Sequence, residues 1–344
     1  MIVSVRLTPR GYDIVVERGA LASVGARLKT LGVGSRAALL TVPSVMRLYG
    51  KTVADSLGDA GFRLTVVELP EGEAAKTLDV ALRAWDLLLE AGLDRTSTVL
   101  ALGGGAVGDL AGFVAGTYMR GMNFVQLPTT VLAQVDASIG GKTAINHPLA
   151  KNAIGVFHQP RLVVTDPTAA ATLPEREFRS GLAEIVKHGI VLEAAYFDDV
   201  EASAQRLRAR DGETLERIIA GSCRLKASVV ERDEREASLR HVLNYGHTIG
   251  HALESVTSYE RWTHGEAVAL GIAAEARLAR RLGLADDATV GRQERLLSAV
   301  GLPVRLDVAV DPAAVLAGIR HDKKSKDGRV PFVLAPRIGE FTIV

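Results

Sequence analysis

Two patterns in the sequence predict an α/β N-terminal domain with a mostly parallel, Rossmann-like sheet, followed by a mainly α-helical C-terminal domain. In the first half, short runs rich in β-branched residues alternate with amphipathic stretches, which is the pattern of strands joined by helical crossovers. Between residues 175 and 300, strand signals are few and helical periodicity dominates. Pro167 and Pro174 separate the two patterns. We therefore place the domains at residues 1–170 and 171–344.

Five strands are predicted in the first domain, at residues 36–42, 63–70, 97–105, 123–130 and 161–167. Each is a short apolar run bounded by turn residues, as expected for strands buried on both faces of a parallel sheet. The amphipathic stretch at residues 75–93 predicts a helix between two of them. At the other end of the chain, residues 329–344 predict a short β-hairpin.

The composition is that of an ordinary globular protein and excludes several classes of function. Of 344 residues, 47% are hydrophobic and 24% are charged, and the formal net charge of +1 gives no basis for nucleic-acid binding. Cys223 is the only cysteine, which excludes an internal disulfide and a multi-cysteine zinc site and favours a cytoplasmic location. Neither a secretion signal nor an apolar run long enough to span a bilayer is recognisable, so no membrane association is expected.

A glycine-rich turn between a predicted strand and a predicted helix, VLALGGGAVGDLAGF, suggests a phosphate-binding site. Gly103, Gly105 and Gly108 fit the pattern G-x-G-x-x-G, and Asp109 follows. Glycines let the backbone approach a pyrophosphate, and a helix N-terminus favours its charge. The acid expected about twenty residues later is missing. The turn is therefore a dinucleotide site of a non-standard kind, or only a tight strand-to-helix connection.

A second glycine-rich stretch, residues 133–146, contains Gly-Lys-Thr at its centre but is not a P-loop. The first glycine of that motif would have to stand at position 136, which is Asp136. We expect Asp136, Lys142, Lys151 and Asn152 to be polar residues of a loop-like region.

Three histidines and an asparagine lie within residues 241–255, and His247 and His251 are four residues apart. This spacing places two imidazoles on one helical face, where they can share a metal ion. On one helix, four polar side chains fall within a sector of about 60°: Arg240, Asn244, His247 and His251. Glu236 widens the sector to about 80° if the helix reaches back that far. Gly246 and Gly250 lie on a neighbouring face and predict close packing with another helix.

Further candidate ligands lie in other helical stretches: His264, and Glu184 with Lys187 one turn on. Two histidines and one carboxylate with an open coordination position suit a catalytic Zn²⁺. The residue pattern alone leaves open the alternative that these histidines are ordinary core or surface residues.

Nine segments of the chain together closely resemble the 3-dehydroquinate synthase family of sugar-phosphate cyclases. They span about residues 69–330 and are GGGAVGDLAGF, YMRG, LPTTVLAQVDASIGGKTAINHPLAKNAIG, FHQP, LPEREFRSGLAEIVKHG, DERE, LRHVLNYGHTIGHALE, WTHGEAVALG and HDKK. Long, ordered motifs of this kind are specific to the superfamily. The resemblance implies an enzyme of the shikimate pathway, which leads to chorismate and the aromatic amino acids.

The resemblance implies a single metal ion, Zn²⁺ or Co²⁺, bound by Glu184, His247 and His264. His251 corresponds instead to a residue that contacts the substrate, so the pair at i and i+4 is divided between metal and substrate. His188 and His241 match no functional position of the family, and we interpret them as structural.

The resemblance also implies NAD⁺ that is held tightly and regenerated in each turnover. The corresponding cofactor-binding residues are Glu71, Gly72, Glu73, Lys76, Gly105, Gly108, Asp109, Thr129, Thr130, Lys142, Lys151 and Thr172. One position departs from the family, because Val42 stands where Asn or Asp is usual. A valine side chain cannot hydrogen-bond a ribose, so a backbone group or a water would have to substitute.

Substrate contacts carry over from the family in the same way. Substrate-binding positions match Arg120, Asp136, Lys142, Asn152, Lys226, Lys323 and Lys324, and Arg120 would act from the neighbouring subunit of a homodimer. Catalytic positions match Lys187, Glu236, Arg240, Asn244 and His251.

The implied substrate is 3-deoxy-D-arabino-heptulosonate 7-phosphate, which is converted to 3-dehydroquinate and phosphate. The steps are transient oxidation at C5, β-elimination of phosphate, reduction, ring opening and an intramolecular aldol closure. Lys226 and Arg240 suit the carboxylate of this sugar, and Lys142, Asn152 and Arg120 suit its phosphate. Two alternatives stay open: a sister cyclase that uses sedoheptulose 7-phosphate or glucose 6-phosphate, and a metal-dependent polyol dehydrogenase of the glycerol dehydrogenase type.

Overall fold

The structure, a computed structural model, describes residues 1–320 and 330–344 and consists of two units, Met1–Thr172 and Leu173–Val344. The strands of the first unit are β1 (Ile2–Val5), β2 (Tyr12–Val16), β3 (Arg36–Thr41), β4 (Arg63–Glu68), β5 (Thr98–Gly103), β6 (Asn123–Pro128), β7 (Lys142–His147), β8 (Ala150–Phe157) and β9 (Leu162–Thr165). Its helices are α1 (Val24–Thr30), α2 (Pro43–Val45), α3 (Lys51–Asp59), α4 (Leu78–Glu90) and α5 (Gly105–Thr117).

Seven of these strands form one sheet in the order β1-β2-β9-β6-β5-β3-β4. All neighbours in it are parallel except β1 and β2, which pair antiparallel at one edge. The five strands predicted from the sequence are β3, β4, β5, β6 and β9, and the predicted α/β class is confirmed. The N-terminal pair β1 and β2 is an addition that the prediction did not contain.

The central strands are apolar throughout because both of their faces are covered. Leu39 and Leu100 pack on the side of α1 and α3, whereas the neighbouring Leu40 and Ala101 pack on the side of α4 and α5. All four residues are at most 1% exposed. Successive residues of a strand point to opposite faces, so a strand between two helical layers has no polar side.

The prediction of a loop-like region around Lys142, Lys151 and Asn152 was wrong, because these residues lie on an antiparallel hairpin of β7 and β8. The hairpin packs against α5 at two glycines one helical turn apart. A side chain at Gly112 would overlap the Thr143 side chain, and one at Gly116 would come within 2.7 Å of Val156 Cγ2. This packing holds the two strands of the hairpin against the helix.

The second unit contains α6 (Glu175–Leu192), α7 (Ala194–Arg208), α8 (Gly212–Arg232), α9 (His247–Val256), α10 (His264–Arg281), α11 (Asp287–Ala299) and α12 (Pro312–Arg320). Two short strands, β10 (Val333–Leu334) and β11 (Thr342–Ile343), pair antiparallel. The mainly helical character and the C-terminal hairpin are therefore confirmed. Among the described residues, no helix combines the length and the apolar character needed to cross a membrane.

The single helix assumed for Glu236, Arg240, Asn244 and His251 was wrong. Residues Leu239–Asn244 form a 3-10 turn, and Gly246, with φ 79°, separates this turn from α9. Glu236 lies outside both elements at φ 58°. His247 and His251 do share one face of α9, but a helical stripe that continues to Arg240 does not exist.

Gly246 and Gly250 permit a close approach of α9 to α10, as predicted. A Cβ at Gly246 would lie 2.5 Å from Ile272 Cγ1, and one at Gly250 would lie 3.0 Å from the carbonyl oxygen of Ala267. Gly246 also adopts a left-handed conformation that costs a glycine little. The two glycines therefore set both the start of α9 and its distance from α10.

Candidate functional site

Glu184, His247 and His264 form a compact group in the second unit, with one ligand atom of each within 4.8 Å of the others. Glu184 Oε1 lies 3.6 Å from His247 Nε2 and 3.8 Å from His264 Nε2. Glu184 is completely buried, and His247 is 8% exposed. One carboxylate faced by two imidazole nitrogens is a donor set that suits Zn²⁺ or Co²⁺, so these residues fit the predicted metal.

The outer nitrogen of each imidazole in this group is engaged by another acceptor. His247 Nδ1 lies 3.1 Å from the carbonyl oxygen of Tyr245, and His264 Nδ1 lies 3.4 Å from Glu254 Oε2. Histidines that ligate metals characteristically donate their second N–H in this way, which directs the other nitrogen to the ion. Glu254 was missed by the sequence analysis, although it follows His247 by seven residues and therefore shares its helical face.

The N-terminus of α10 is fixed at the first of its residues, His264. Thr263 caps the helix by accepting a hydrogen bond from the Glu266 N–H, and Glu266 accepts one from the Thr263 N–H in return. Arg176 Nε donates to both oxygens of Glu266 at 3.0 and 2.9 Å. Burial alone would raise the pKa of Glu266, but its bonds to Arg176 and Thr263 hold that pKa below its usual range. The reciprocal cap orders the backbone that carries His264.

The start of α9 is fixed by a buried carboxylate. Glu275 on α10 is completely buried and accepts a hydrogen bond of 2.6 Å from the N–H of Gly246, the residue before His247. Tyr245, the residue before that, is buried and donates from its hydroxyl to Gln293 Oε1 at 2.7 Å. These contacts hold the backbone from which His247 projects.

Lys187 and His251 lie beside the group. Lys187 is 1% exposed, forms an ion pair with Glu184, and donates to the carbonyl oxygen of Leu243 at 2.7 Å. The His251 ring centroid lies 5.2 Å from that of His247 and 6.0 Å from that of His264. Ligand atoms of His251, Glu254 and His264 also lie within 4.8 Å of one another. This second group shares His264 with the group that contains Glu184.

The segment after α8 folds around the carboxylate of Asp233. Its oxygens accept hydrogen bonds from the backbone N–H groups of Ala237, Ser238 and Arg240, at 2.8, 2.8 and 2.9 Å. Burial alone would raise the pKa of Asp233, but these three donors hold it below its usual value. Asp233 was also missed by the sequence analysis, although an aspartate at a turn that bonds its own following backbone is a recognised signal.

Four predicted substrate residues lie in or near this segment. Asn244 Nδ2 donates to Glu236 Oε1 at 3.5 Å, and the left-handed backbone of Glu236 is unusual for a non-glycine residue. Arg240 is 2% exposed, and its Nη1 donates to the carbonyl oxygen of Glu234 at 2.6 Å. Lys226 on α8 is 5% exposed. Burying polar and charged side chains costs free energy unless they are hydrogen-bonded or paired. Proteins commonly keep such buried side chains at functional positions.

His188 and His241 differ in their surroundings. His188 is completely buried on α6, and its Nδ1 lies 2.7 Å from the hydroxyl of Ser222 on α8. His241 lies half-buried in the turn before α9. The structural role that we infer for His188 agrees with its position between two packed helices.

In the first unit, the carboxyl ends of β4, β5 and β6 lead into the predicted cofactor residues. Because parallel strands end at the same edge of a sheet, Glu71, Gly105 and Thr129 follow strand ends along one edge, with β5 and β6 adjacent and β3 between β5 and β4. Helix α5 begins at Gly105 without a side-chain cap. Its first backbone N–H groups therefore suit a phosphate, and the residues present fit a dinucleotide.

Gly108 has a packing role within the same motif. A Cβ at Gly108 would lie 2.8 Å from Gln126 Oε1 on the neighbouring strand β6. This glycine lets α5 approach the sheet, which is the task of the third glycine in dinucleotide-binding turns.

Lys76 joins residues that the sequence analysis had assigned to different ligands. It is 3% exposed, and its Nζ donates to Asp109 Oδ2 at 2.6 Å and to Asn152 Oδ1. Asn152 has a left-handed backbone, with φ 53°. Asn146, which the sequence analysis did not single out, accepts from the Asn152 N–H at 3.1 Å and donates to Glu73 Oε2 at 2.7 Å. The hairpin and the Glu73–Lys76 turn are thereby linked.

Other predicted cofactor residues are held by local partners. Glu71 accepts hydrogen bonds from the N–H of Ser44 at 2.9 Å and from its hydroxyl at 3.0 Å. Val42 is 5% exposed and belongs to the hydrophobic core, as expected for a side chain without a ribose contact. The hydroxyls of Thr172 and Tyr49 lie 2.6 Å apart. Thr130 accepts from the N–H of the residue three positions on, Ala133, at 3.1 Å.

Arg120 lies at the far end of α5 from Asp109. Helix α5 ends at Thr117, eight positions after Asp109, which corresponds to about 12 Å at 1.5 Å per residue, and Arg120 follows in a turn with a non-helical backbone. Arg120 is exposed and has φ 64°, and its neighbour Met119 has φ 50°.

Lys142 and Lys151 are exposed on the hairpin, and Asp136 is half-buried in the turn Ala133–Ala137. Lys323 and Lys324 lie outside the described residues.

Two family models match adjacent parts of the chain. The model described as 3-dehydroquinate synthase N-terminal matches residues 66–180, and the model described as 3-dehydroquinate synthase C-terminal matches residues 181–325. Together they cover well over half of the sequence, in the order expected for one family.

Similar proteins fall into the same superfamily. The chain is 49% identical over 341 residues to the 3-dehydroquinate synthase of Pelotomaculum thermopropionicum. The aligned residues cover 99% of this chain and 92% of that protein. It is 26% identical, with a TM-score of 0.90, to 2-deoxy-scyllo-inosose synthase complexed with carbaglucose-6-phosphate, NAD⁺ and Co²⁺, over 100% of this chain and 94% of that one. It is 29% identical, with a TM-score of 0.88, to 2-epi-5-epi-valiolone synthase from Streptomyces hygroscopicus with NAD⁺ and Zn²⁺ bound, over 98% and 94% of the two chains.

The resemblance inferred from the nine sequence segments is thus confirmed by independent matches over almost the whole length. Motif order, family models and a relative of 49% identity all agree. The chain therefore belongs to the 3-dehydroquinate synthase family.

Proposed function

We propose that this protein is a 3-dehydroquinate synthase of the shikimate pathway. It converts 3-deoxy-D-arabino-heptulosonate 7-phosphate to 3-dehydroquinate and phosphate, with NAD⁺ and one divalent metal ion. The observation that carries the proposal is the buried group of Glu184, His247 and His264 within a chain of this family. Identity to the 3-dehydroquinate synthase named above is 49%, against 26% and 29% to the two sister cyclases, which favours this member of the superfamily.

We assign Glu184, His247 and His264 as the metal ligands. The ion, Zn²⁺ or Co²⁺ as in the two solved relatives, would act as a Lewis acid that polarises neighbouring substrate hydroxyls. The two imidazoles present Nε2 to Glu184 while Nδ1 is engaged, so little rearrangement is needed for ligation. Lys187, held between Glu184 and the Leu243 carbonyl, is positioned to donate to a substrate hydroxyl.

We assign the carboxyl edge of β4, β5 and β6 to NAD⁺, which, when bound, would supply reversible hydride transfer at C5. The uncapped N-terminus of α5 suits the pyrophosphate, and Lys76, with Glu71, Glu73, Thr129, Thr130, Lys151 and Thr172, completes the set. The network of Lys76, Asp109 and Asn152 connects cofactor and phosphate residues of the first unit.

We assign Lys142, Asn152 and Arg120 to the substrate phosphate, with Arg120 supplied by the second subunit of a homodimer. In support of this, Arg120 lies three residues beyond the end of α5, and about 12 Å of helix separates Asp109 from that end. The left-handed backbone at Met119 and Arg120 is the kind of local strain that is retained at functional positions. A guanidinium fork also suits bidentate phosphate binding.

Lys226 and Arg240 are assigned to the substrate carboxylate, whereas Glu236, Asn244 and His251 fix hydroxyls or carry protons. A substrate without the carboxylate would not supply the charged partner that we assign to these two buried cations. Removing one partner of a buried ion pair costs about 3–5 kcal/mol, which corresponds to a loss of about 10²–10³-fold in kcat/KM. The enzyme should therefore select the heptulosonate over neutral sugar phosphates.

We further propose a cytoplasmic location, since the sole cysteine, Cys223, is a buried free thiol.

A turnover assay with three readouts tests the proposal: inorganic phosphate, net NADH and 3-dehydroquinate. We expect one phosphate per 3-dehydroquinate, no net NADH, and a kcat/KM for sedoheptulose 7-phosphate at least a hundredfold lower than for the heptulosonate. Comparable turnover of sedoheptulose 7-phosphate would indicate a sister cyclase. Accumulation of NADH without phosphate release would indicate a polyol dehydrogenase.

A further inference from the structure

Glu254 contacts the proposed metal group without belonging to it. It lies on α9 and is half-buried, and its Oε2 is 3.4 Å from His264 Nδ1. It shares a helical face with His247, so α9 presents both a proposed ligand and this carboxylate to the N-terminus of α10. No role in the proposed reaction has been assigned to it.

The chemistry of the contact fixes the tautomer of His264. An ionised carboxylate only accepts hydrogen bonds, so the ring nitrogen that faces it must carry the proton. Nδ1 of His264 is then the N–H donor, and the lone pair is left on Nε2, which is the nitrogen 3.8 Å from Glu184 Oε1. In His247 the backbone carbonyl of Tyr245 has the same effect on Nδ1.

The two histidines differ in how this acceptor is supplied. The acceptor for His247 is the main-chain carbonyl of Tyr245, which is present whatever the side chain at position 245. The acceptor for His264 is a single side chain, so the orientation of this ligand depends on one residue. Side chains in this position are typically worth about 10–100-fold in metal affinity.

An alternative use of the same atoms is a second metal ion. His251, Glu254 and His264 also bring ligand atoms within 4.8 Å of one another. Such an ion would share His264 with the first, so two dications would lie one imidazole apart, and it would compete with the proton on Nδ1. Mutual repulsion and the loss of that proton both favour a single ion.

We propose that Glu254 is a positioning residue of the metal centre, which accepts the Nδ1 proton of His264 and thereby directs Nε2 to the ion. The inference rests on the proposed metal ligands and adds a residue that controls one of them. Its effect is exerted through His264 and requires no contact between Glu254 and substrate.

The test measures metal binding by the purified full-length protein in the absence of substrate. Zn²⁺ dissociation constants are obtained by competition with a chelator, and the visible absorption of Co²⁺ reports the ligand geometry. Glu254→Ala should weaken Zn²⁺ binding by about 10–100-fold and change the Co²⁺ spectrum. Glu254→Gln, which keeps an acceptor oxygen, should recover most of the loss. Glu260 is an exposed glutamate between α9 and α10, and Glu260→Ala should bind Zn²⁺ as tightly as the wild type.

Each other outcome has a distinct meaning. If the wild type binds no divalent ion, the metal assignment itself fails. If it binds one ion and Glu254→Ala binds equally tightly with an unchanged spectrum, the metal site stands and the role of Glu254 is refuted. Two ions in the wild type and one in Glu254→Ala would make Glu254 a ligand, which also overturns the proposal. Glu254→Met, similar in size but without an acceptor, replaces Glu254→Ala if the latter does not fold, and the same loss is expected.

Discussion

His247 and His251 are chemically identical and one turn apart, yet their neighbours differ. His247 has a backbone acceptor at Nδ1 and the buried Glu184 carboxylate at Nε2. His251 lies on the side of Glu254 and His264. Spacing alone would pair the two as ligands, whereas only His247 has Glu184 at its Nε2, and we propose that His247 is a ligand and that His251 contacts substrate.

We predict that His251→Ala retains nearly one metal ion per chain and loses at least about a hundredfold in activity, the typical contribution of a proton-transferring group. His264→Ala should lose both metal and activity, because a ligand is removed. Metal analysis of the purified variants, together with the phosphate-release assay, distinguishes the two. A His251→Ala protein as poor in metal as His264→Ala would contradict this division.

At the level of elements, one carboxylate orders the segment that leads from α8 into the turn Leu239–Asn244. Three backbone N–H groups point to Asp233, and Glu236 and Arg240 are placed by the resulting turn. Because the pKa of Asp233 is held below 3.8, its stabilising contribution is fully present above its pKa in the unfolded chain. That contribution is lost as the pH falls through the lower pKa of the folded state.

We predict that Asp233→Asn lowers the free energy of unfolding of the second unit by about 1–3 kcal/mol at pH 7, the cost of weakening hydrogen bonds to a charged acceptor. The difference from the wild type should stay constant between pH 7 and about pH 5 and shrink below about pH 4, as measured by urea unfolding. KM for the sugar phosphate should rise as well.

Asp311→Asn provides the matched control. Asp311 is exposed and accepts one backbone hydrogen bond, from Ala313, away from this segment. It should change stability by less than about 0.5 kcal/mol. A destabilisation by Asp233→Asn that persists undiminished at pH 3 would argue against the charged carboxylate as its cause.

At the scale of the whole molecule, the direction of α5 bears on the proposal that Arg120 acts across a dimer. The helix starts at the carboxyl edge of the sheet and delivers Arg120 to the beginning of β6, at the opposite edge. About 12 Å of helix separates Asp109 from Thr117, the last residue of α5. We propose that a second copy of the chain supplies Arg120 to the phosphate site, since closed dimers are the commonest oligomers.

We predict that mixing inactive Arg120→Ala with inactive Lys187→Ala restores activity after subunit exchange. In the hybrid dimer one of the two sites has both residues intact, so random exchange should yield about one quarter of the wild-type activity. Phosphate release measures it. Mixing Lys187→Ala with His251→Ala is the control and should restore nothing, because both residues would belong to the same subunit's site. Confirmed exchange without recovery would place Arg120 within its own chain or outside the site.

The α/β class, five strands of the sheet, the helical second half and the family could all be predicted from the amino-acid sequence. These features depend on local periodicity, as in β3 and β5, and on motifs long enough to be specific. Tertiary structure decided the rest. Lys142 and Asn152 lie on a hairpin because Gly112 and Gly116 let it pack on α5, and Arg240 is separated from α9 because Gly246 turns left-handed against α10. Glu254 acquires its partner only when the N-terminus of α10 packs beside α9, which no local pattern predicts, whereas the turn around Asp233 is local and its signal was missed.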